Sequence, residues 1–192
     1  MKRLQKVVLL TVLAEKLLEK GSWCGETHLQ KATYFFQELL NVPTELDFIL
    51  YKHGPFSFDL RDELTAMRAD GLLTLHLRQI QYGPSLVPTE RCKKLQRLFS
   101  KTLDQYEKEV EFVAEKLGDK GVTELEQLAT ALYVTLEQPD KAPMERALRI
   151  HELKPHVTVD QGESAIKDLE MIIKAADSSF DIPASFSELV AT

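Results

Sequence analysis

The chain has 192 residues, 44% of them apolar and 28% charged, which suits one domain or a small domain with a helical extension, and which supports a sizeable core. Its net charge of −6 is unevenly spread: residues 1–100 hold 14 Lys+Arg against 11 Asp+Glu, and residues 101–192 hold 10 against 19. The acidic second half repels phosphate, so a nucleic-acid surface would have to lie in the first half.

Lys2, Arg3 and Lys6 precede the apolar run Val7–Ala14, but no small-residue cleavage site follows, so a first helix is expected rather than a signal peptide. No apolar stretch reaches the ~18 residues that a membrane span requires, so no membrane partner is expected. Cys24 and Cys92 lack any CxxC or paired-ligand spacing and read as buried, reduced thiols of a cytoplasmic protein.

The first helix is predicted over residues 3–20, with Leu4, Val7, Val8, Leu10, Ala14, Leu17 and Leu18 apolar nearly all round. Thr27 and Gln30 are spaced as a capping box for a second helix carrying Leu29, Ala32, Thr33, Phe36, Leu39 and Leu40. Leu46, Phe48 and Leu50 alternate with Asp47, Ile49 and Tyr51 as a strand, and Gly54-Pro55 is expected to turn the chain. Ser57 is the predicted N-cap of a third helix that buries Leu60, Leu64 and Met67 and stops at Gly71.

A hairpin follows: Leu73 to Arg78 alternates, Tyr82-Gly83-Pro84 turns, and Ser85–Val87 returns. Phe99, Leu103, Tyr106, Val110, Val113 and Leu117 then form an a/d-type seam on one helix from about residue 90 to 117. Thr123 with Glu126 and Asp160 with Glu163 are predicted capping boxes for two later helices, with a short helix from Pro143 to about His151 between them. Residues 177–192 read as a loop-like tail that straps onto the surface.

This order predicts an α+β, mostly helical fold. Residues 1–90 read as a winged helix-turn-helix-like core with a small antiparallel sheet. Residues 91–192 read as a helical extension packed on that core or continuing it as one domain.

The segment LQKATYFFQELL, a strand, then YKHGPFSFDLRDELTAMRADGLL and a hairpin together resemble the bacterial YwgA-like proteins and, more distantly, the Panacea (SocA-like) antitoxin domain. The resemblance rests on Leu29-Gln30-Lys31, on Tyr51 through Pro55 and on Asp62 through Leu72, and the late segment LKPHVTVDQGESAIKDLE also looks like the YwgA-like pattern. It covers most of the chain through short, mainly structural motifs. What it implies is the fold and, through the Panacea relatives, a role in binding proteins; the long acidic C-terminal half departs from Panacea.

Candidate sites divide by charge. A groove-reading third helix would carry Lys or Arg, yet Asp59, Asp62, Glu63 and Asp70 outnumber Arg61 and Arg68 on this one. Tyr51, His53, Asp59, Asp62 and Glu63 are therefore the expected partner-binding residues. Arg78, Arg91, Lys93, Lys94 and Arg97, with His76 nearby, form the alternative: a cluster gripping DNA phosphates from the wing side. The seam from Phe99 to Leu117 would dimerise the chain if exposed and serve as core if covered.

His53 stands out as a loop histidine beside aromatics, although turn histidines are usually structural. His151 and His156 do not share a helix face, and no HExxH-like metal set, GxxxxGK[ST], GxGxxG or GxSxG occurs. Ser57 and Cys24 have no base near them in sequence. No cofactor is expected. The leading expectation is a non-enzymatic regulatory or interaction protein, antitoxin-like or an adaptor, that binds a protein; the alternative is a DNA-binding regulator.

Overall fold

Helix α1 (Arg3–Glu19) buries Val7, Val8, Leu9, Leu10, Leu13, Ala14 and Leu17 around most of its circumference, which makes it the central helix. The computed structural model of the chain describes residues 1–79, 83–183 and 186. Around α1 lie α2 (Glu26–Glu38), α3 (Phe58–Ala69), α4 (Glu90–Leu98), α5 (Ser100–Leu117), α6 (Val122–Glu137), α7 (Pro143–Leu153) and α8 (Val159–Asp177). The fold is α+β and mostly helical, as expected.

The strands form two separate antiparallel hairpins rather than one small sheet. One pairs β1 (Ile49–Tyr51) with β2 (Gly54–Phe56), and the other pairs β3 (Leu73–His76) with β4 (Ser85–Pro88). The expected strand from Leu46 is shortened to three residues. The Gln37 amide holds Leu46 from both sides, donating to its carbonyl at 3.0 Å and accepting from its N–H at 2.9 Å, so a side chain takes the place of a neighbouring strand. The turn also moves. Lys52 and His53 form it, while Gly54 and Pro55 pair with Tyr51 and Leu50 inside the hairpin. Of the second hairpin's predicted turn, Tyr82 lies outside the described residues.

The helix expected from residue 90 to 117 is two helices. Phe99 leaves helical geometry (φ −119°, ψ 30°), and Tyr106 kinks α5 (φ −118°, ψ 15°). The break lets α4 touch α1 while α5 runs along both α1 and α2. Val110, Val113 and Leu117 are thereby buried, with Leu103 and Tyr106 packed against the same cluster, so most of the seam faces the chain's own core.

All three predicted capping boxes sit two residues too late. Gly25 is the N-cap of α2; Gly121 caps α6 and donates to Glu124 Oε2 at 2.9 Å; Thr158 and Gln161 exchange reciprocal bonds of 3.2 and 2.9 Å at α8. Ser57 is the N-cap of α3 as expected, its Oγ accepting from Leu60 N at 3.2 Å, and Gly71 follows that helix with φ +70°.

The second half covers the first. α5 packs on α1 and α2, α6 packs on α2 and β2, and one apolar cluster runs from Val7 to Phe186. Beyond α8 the chain continues onto this body: the Phe180 ring meets Phe112 at 5.2 Å, and Phe186 is buried.

Candidate functional site

The β1–β2 hairpin is fastened to the helices by buried polar side chains. Gln30 behaves as a substitute strand: its Nε2 donates to Ser57 O at 2.9 Å, and its Oε1 accepts from Ser57 N at 2.9 Å. Lys31, only 1% exposed, extends beside β2 and donates to Pro55 O at 2.8 Å. From the other side Lys154 donates to Lys52 O at 2.7 Å and also bonds Tyr51 O. Three carbonyls of the short hairpin thus gain ammonium donors, that of the buried Pro55 among them. Burial strips water from both ammonium groups, pulling Lys31 down to about 8 and lowering Lys154 as well.

Gly54 completes the attachment. Its φ is +83°, and a Cβ there would stand 3.1 Å from Thr130 Oγ1 and 3.4 Å from Glu126 O, so only glycine fits against α6. The adjacent Glu126 carboxylate is nearly enclosed and gathers two histidines. His53 Nδ1 lies 3.3 Å from Oε2, and His156 Nε2 lies 3.0 Å from Oε1. Both rings are largely open to solvent, so the set clamps the hairpin turn to α6 and to the α7–α8 connection. Among the described residues, no group of three His, Cys, Asp or Glu is arranged to hold a metal ion.

The clamp fixes what the hairpin displays. Tyr51, 53% exposed, meets Phe56 at 5.7 Å and Phe58 at 5.6 Å, and Phe56 and Phe58 meet at 5.2 Å. Phe58 itself is 41% exposed and Ile49 48%. Three mutually packed rings therefore stand at the surface, held in place by one another and by the buried backbone beneath them.

Arg61 links this patch to a cavity. Its guanidinium lies 5.0 Å over the Phe58 ring, hydrogen-bonds Asp62 Oδ1, and also lines a hollow of about 480 Å³. That hollow opens between α3, the N-termini of α2 and α6, and the β3–β4 hairpin; Leu64, Leu75, Leu86 and Val122 give it an apolar wall. Trp23 stands at its edge, donating from Nε1 to Gly83 O at 2.7 Å, with Arg78 5.6 Å over its ring. Arg68 also borders the hollow and makes no ion pair among the described residues.

The predicted partner-binding residues do not all converge. Tyr51 and His53 share the hairpin, and Asp59 and Asp62 are exposed at the start of α3. Glu63 is occupied: Arg3 grips both of its oxygens, the shortest contact being 2.7 Å. The predicted phosphate cluster is dispersed. Arg91 donates to Asp70 O at 3.0 Å behind α3, Lys93 pairs with Glu15 at 3.0 Å, and Arg78 stacks on Trp23. Lys94 and Arg97 are exposed on α4, and His76 is exposed on β3.

Several site residues escape a linear reading. Gln30 and Glu126 look like members of capping boxes, yet they hold the hairpin. Lys31, Lys154 and His156 come from segments far apart in sequence; the Leu-Gln-Lys and Gly-Pro motifs were the available signal that two of these segments meet. Compared with family models and with curated proteins, the chain matches none. Among the described residues no helix is long and apolar enough to cross a membrane.

Proposed function

We propose that this is a non-enzymatic interaction protein, antitoxin-like or an adaptor in the cytoplasm, that binds a protein partner through the surface formed by Tyr51, Phe56 and Phe58. The observation that carries this reading is the pair of exposed rings, Tyr51 and Phe58, packed with the half-buried Phe56 beside a hairpin whose backbone is locked from behind. Rigid aromatic anchors give large contact area at little entropic cost, and they are enriched where proteins bind one another. The acidic residues Asp59 and Asp62 beside the patch favour a protein over duplex DNA, and so does the engagement of Arg78, Arg91 and Lys93 in contacts within the chain. The resemblance to the Panacea antitoxin domain agrees with this choice.

The test is affinity purification of the full chain from its own cells, with captured proteins identified and nucleic acid assayed in parallel. A specific protein should be recovered with the native chain and be lost with Phe58→Ser and Tyr51→Ser, both of which alter exposed rings. Recovery of that protein undiminished by both variants, or retention of duplex DNA alone, would overturn the reading.

A further inference from the structure

The hollow beside the aromatic patch has a chemistry of its own. Its wall is mostly apolar, and its volume of about 480 Å³ is in the range of pockets that take up a compact ligand or a large side chain. The charges at its border are mainly positive. Arg68 stands there without an ion pair among the described residues, Arg61 shares its charge with the exposed Asp62, and Arg78 lies over the Trp23 ring at the edge. Two helices, α2 and α6, also begin at this hollow, adding the partial positive charge of their first turns. Among the described residues, Glu26 is the one carboxylate lining it.

Continuity decides between a free small molecule and part of a larger partner. Arg61 belongs to both surfaces, stacking on Phe58 and lining the hollow, so whatever covers the rings reaches the hollow within one side chain's width. Taken with the proposed protein-binding role, on which this step rests, we infer that the hollow receives an apolar anchor side chain from an acidic segment of the partner. The anchor sits against Leu64, Leu75 and Leu86, and the flanking carboxylates meet Arg68 and Arg61. An apolar core bordered by complementary charge is how such segments gain both affinity and selectivity.

Trp23 supplies a direct readout, because it is the single tryptophan of the chain and stands at the hollow. A random 12-residue peptide library is selected against the immobilised full chain, and the enriched peptides are synthesised and titrated while Trp23 emission is followed. Peptides lacking tryptophan are used. The expected winners carry an aliphatic or phenylalanine anchor between Asp or Glu residues and shift Trp23 emission. They should bind about tenfold or more weakly to Arg68→Glu, a change at an exposed position without an ion pair. Thr65→Phe, on the exposed side of α3, should block the hollow without altering charge and weaken them similarly.

Enrichment of basic peptides would overturn the inference. So would winners that leave Trp23 unmoved and tolerate both variants, or failure to enrich any peptide. Decanoate is the control for a small apolar acid: if it saturates Trp23 emission and the peptides cannot displace it, the hollow is a small-molecule site. Each of these failures leaves the capture result at Phe58 and Tyr51 standing or falling separately.

Discussion

At the residue scale, the unusual choices are the buried lysines. Lys31 has its ammonium group inside the protein, donating to the Pro55 carbonyl, and its pKa falls from 10.5 to about 8 because burial disfavours the charge. Between about pH 8 and 10.5 the unfolded chain therefore holds a proton on this side chain that the folded chain has released. Its own contribution to stability therefore rises with pH across that window, since the unfolded state binds more of this proton there, while the buried Cys24 thiol, pushed up to about 12, acts in the opposite sense. Lys154 is shifted in the same direction and adds to the slope. Lys31→Met should lower the slope of the urea-melting midpoint against pH, relative to the native chain, between about pH 8 and 10.5. An unchanged slope would mean that the lysine is effectively solvated. The sequence showed Lys31 within a Leu-Gln-Lys motif but gave no sign of its burial, because its partner Pro55 lies 24 positions away. Glu126 was misread for the related reason that a carboxylate three residues after Thr123 satisfies the local capping pattern, while its actual contacts come from His53 and His156.

At the scale of elements, helix existence was legible and helix boundaries were not. Apolar periodicity marked most of the helices, because burial of one face is written at fixed spacing, although it merged α4 and α5 into one. Two caps went wrong by two residues because Gly25 and Gly121 carry no side chain to signal the start, and the third because Thr158-Gln161 and Asp160-Glu163 offer the same spacing two residues apart. Phe99 broke the long helix although its apolar spacing continues through the break, which a periodicity argument cannot register. Close approach is equally invisible in sequence. Gly162 of α8 lies where a Cβ would be 3.1 Å from Ala147 O and 3.3 Å from Ala147 Cβ of α7. Both atoms belong to a buried neighbour, so α7 would have to move. Gly162→Ala should therefore destabilise the chain by about 1–3 kcal/mol, despite its better helix propensity. Equilibrium denaturation would check it, and a stabilised variant would show that α7 yields easily.

At the scale of the whole molecule, the acidic C-terminal half acts as support for the N-terminal surface. Glu126 of α6 and Lys154 at the end of α7 contact the β1–β2 hairpin through His53 and the Tyr51 and Lys52 carbonyls, and His156 joins Glu126 from the α7–α8 connection. The hairpin then projects Tyr51 and Phe56 toward solvent beside Phe58, and α3 continues that surface through Arg61 to the hollow. The order of helices and hairpin in the first half is the one that raised the expectation of a winged helix; of the wing-side cations, Arg78, Arg91 and Lys93 contact Trp23, the Asp70 carbonyl and Glu15, while Lys94 and Arg97 stay exposed.

The most direct measurement places a photocrosslinking amino acid, p-benzoylphenylalanine, at Phe58 of the full chain in its own cells, with Met171, also exposed on α8, as the control position. The account predicts a discrete protein adduct from position 58 that is absent from position 171. No protein adduct at position 58, or the same adducts from both positions, would contradict it.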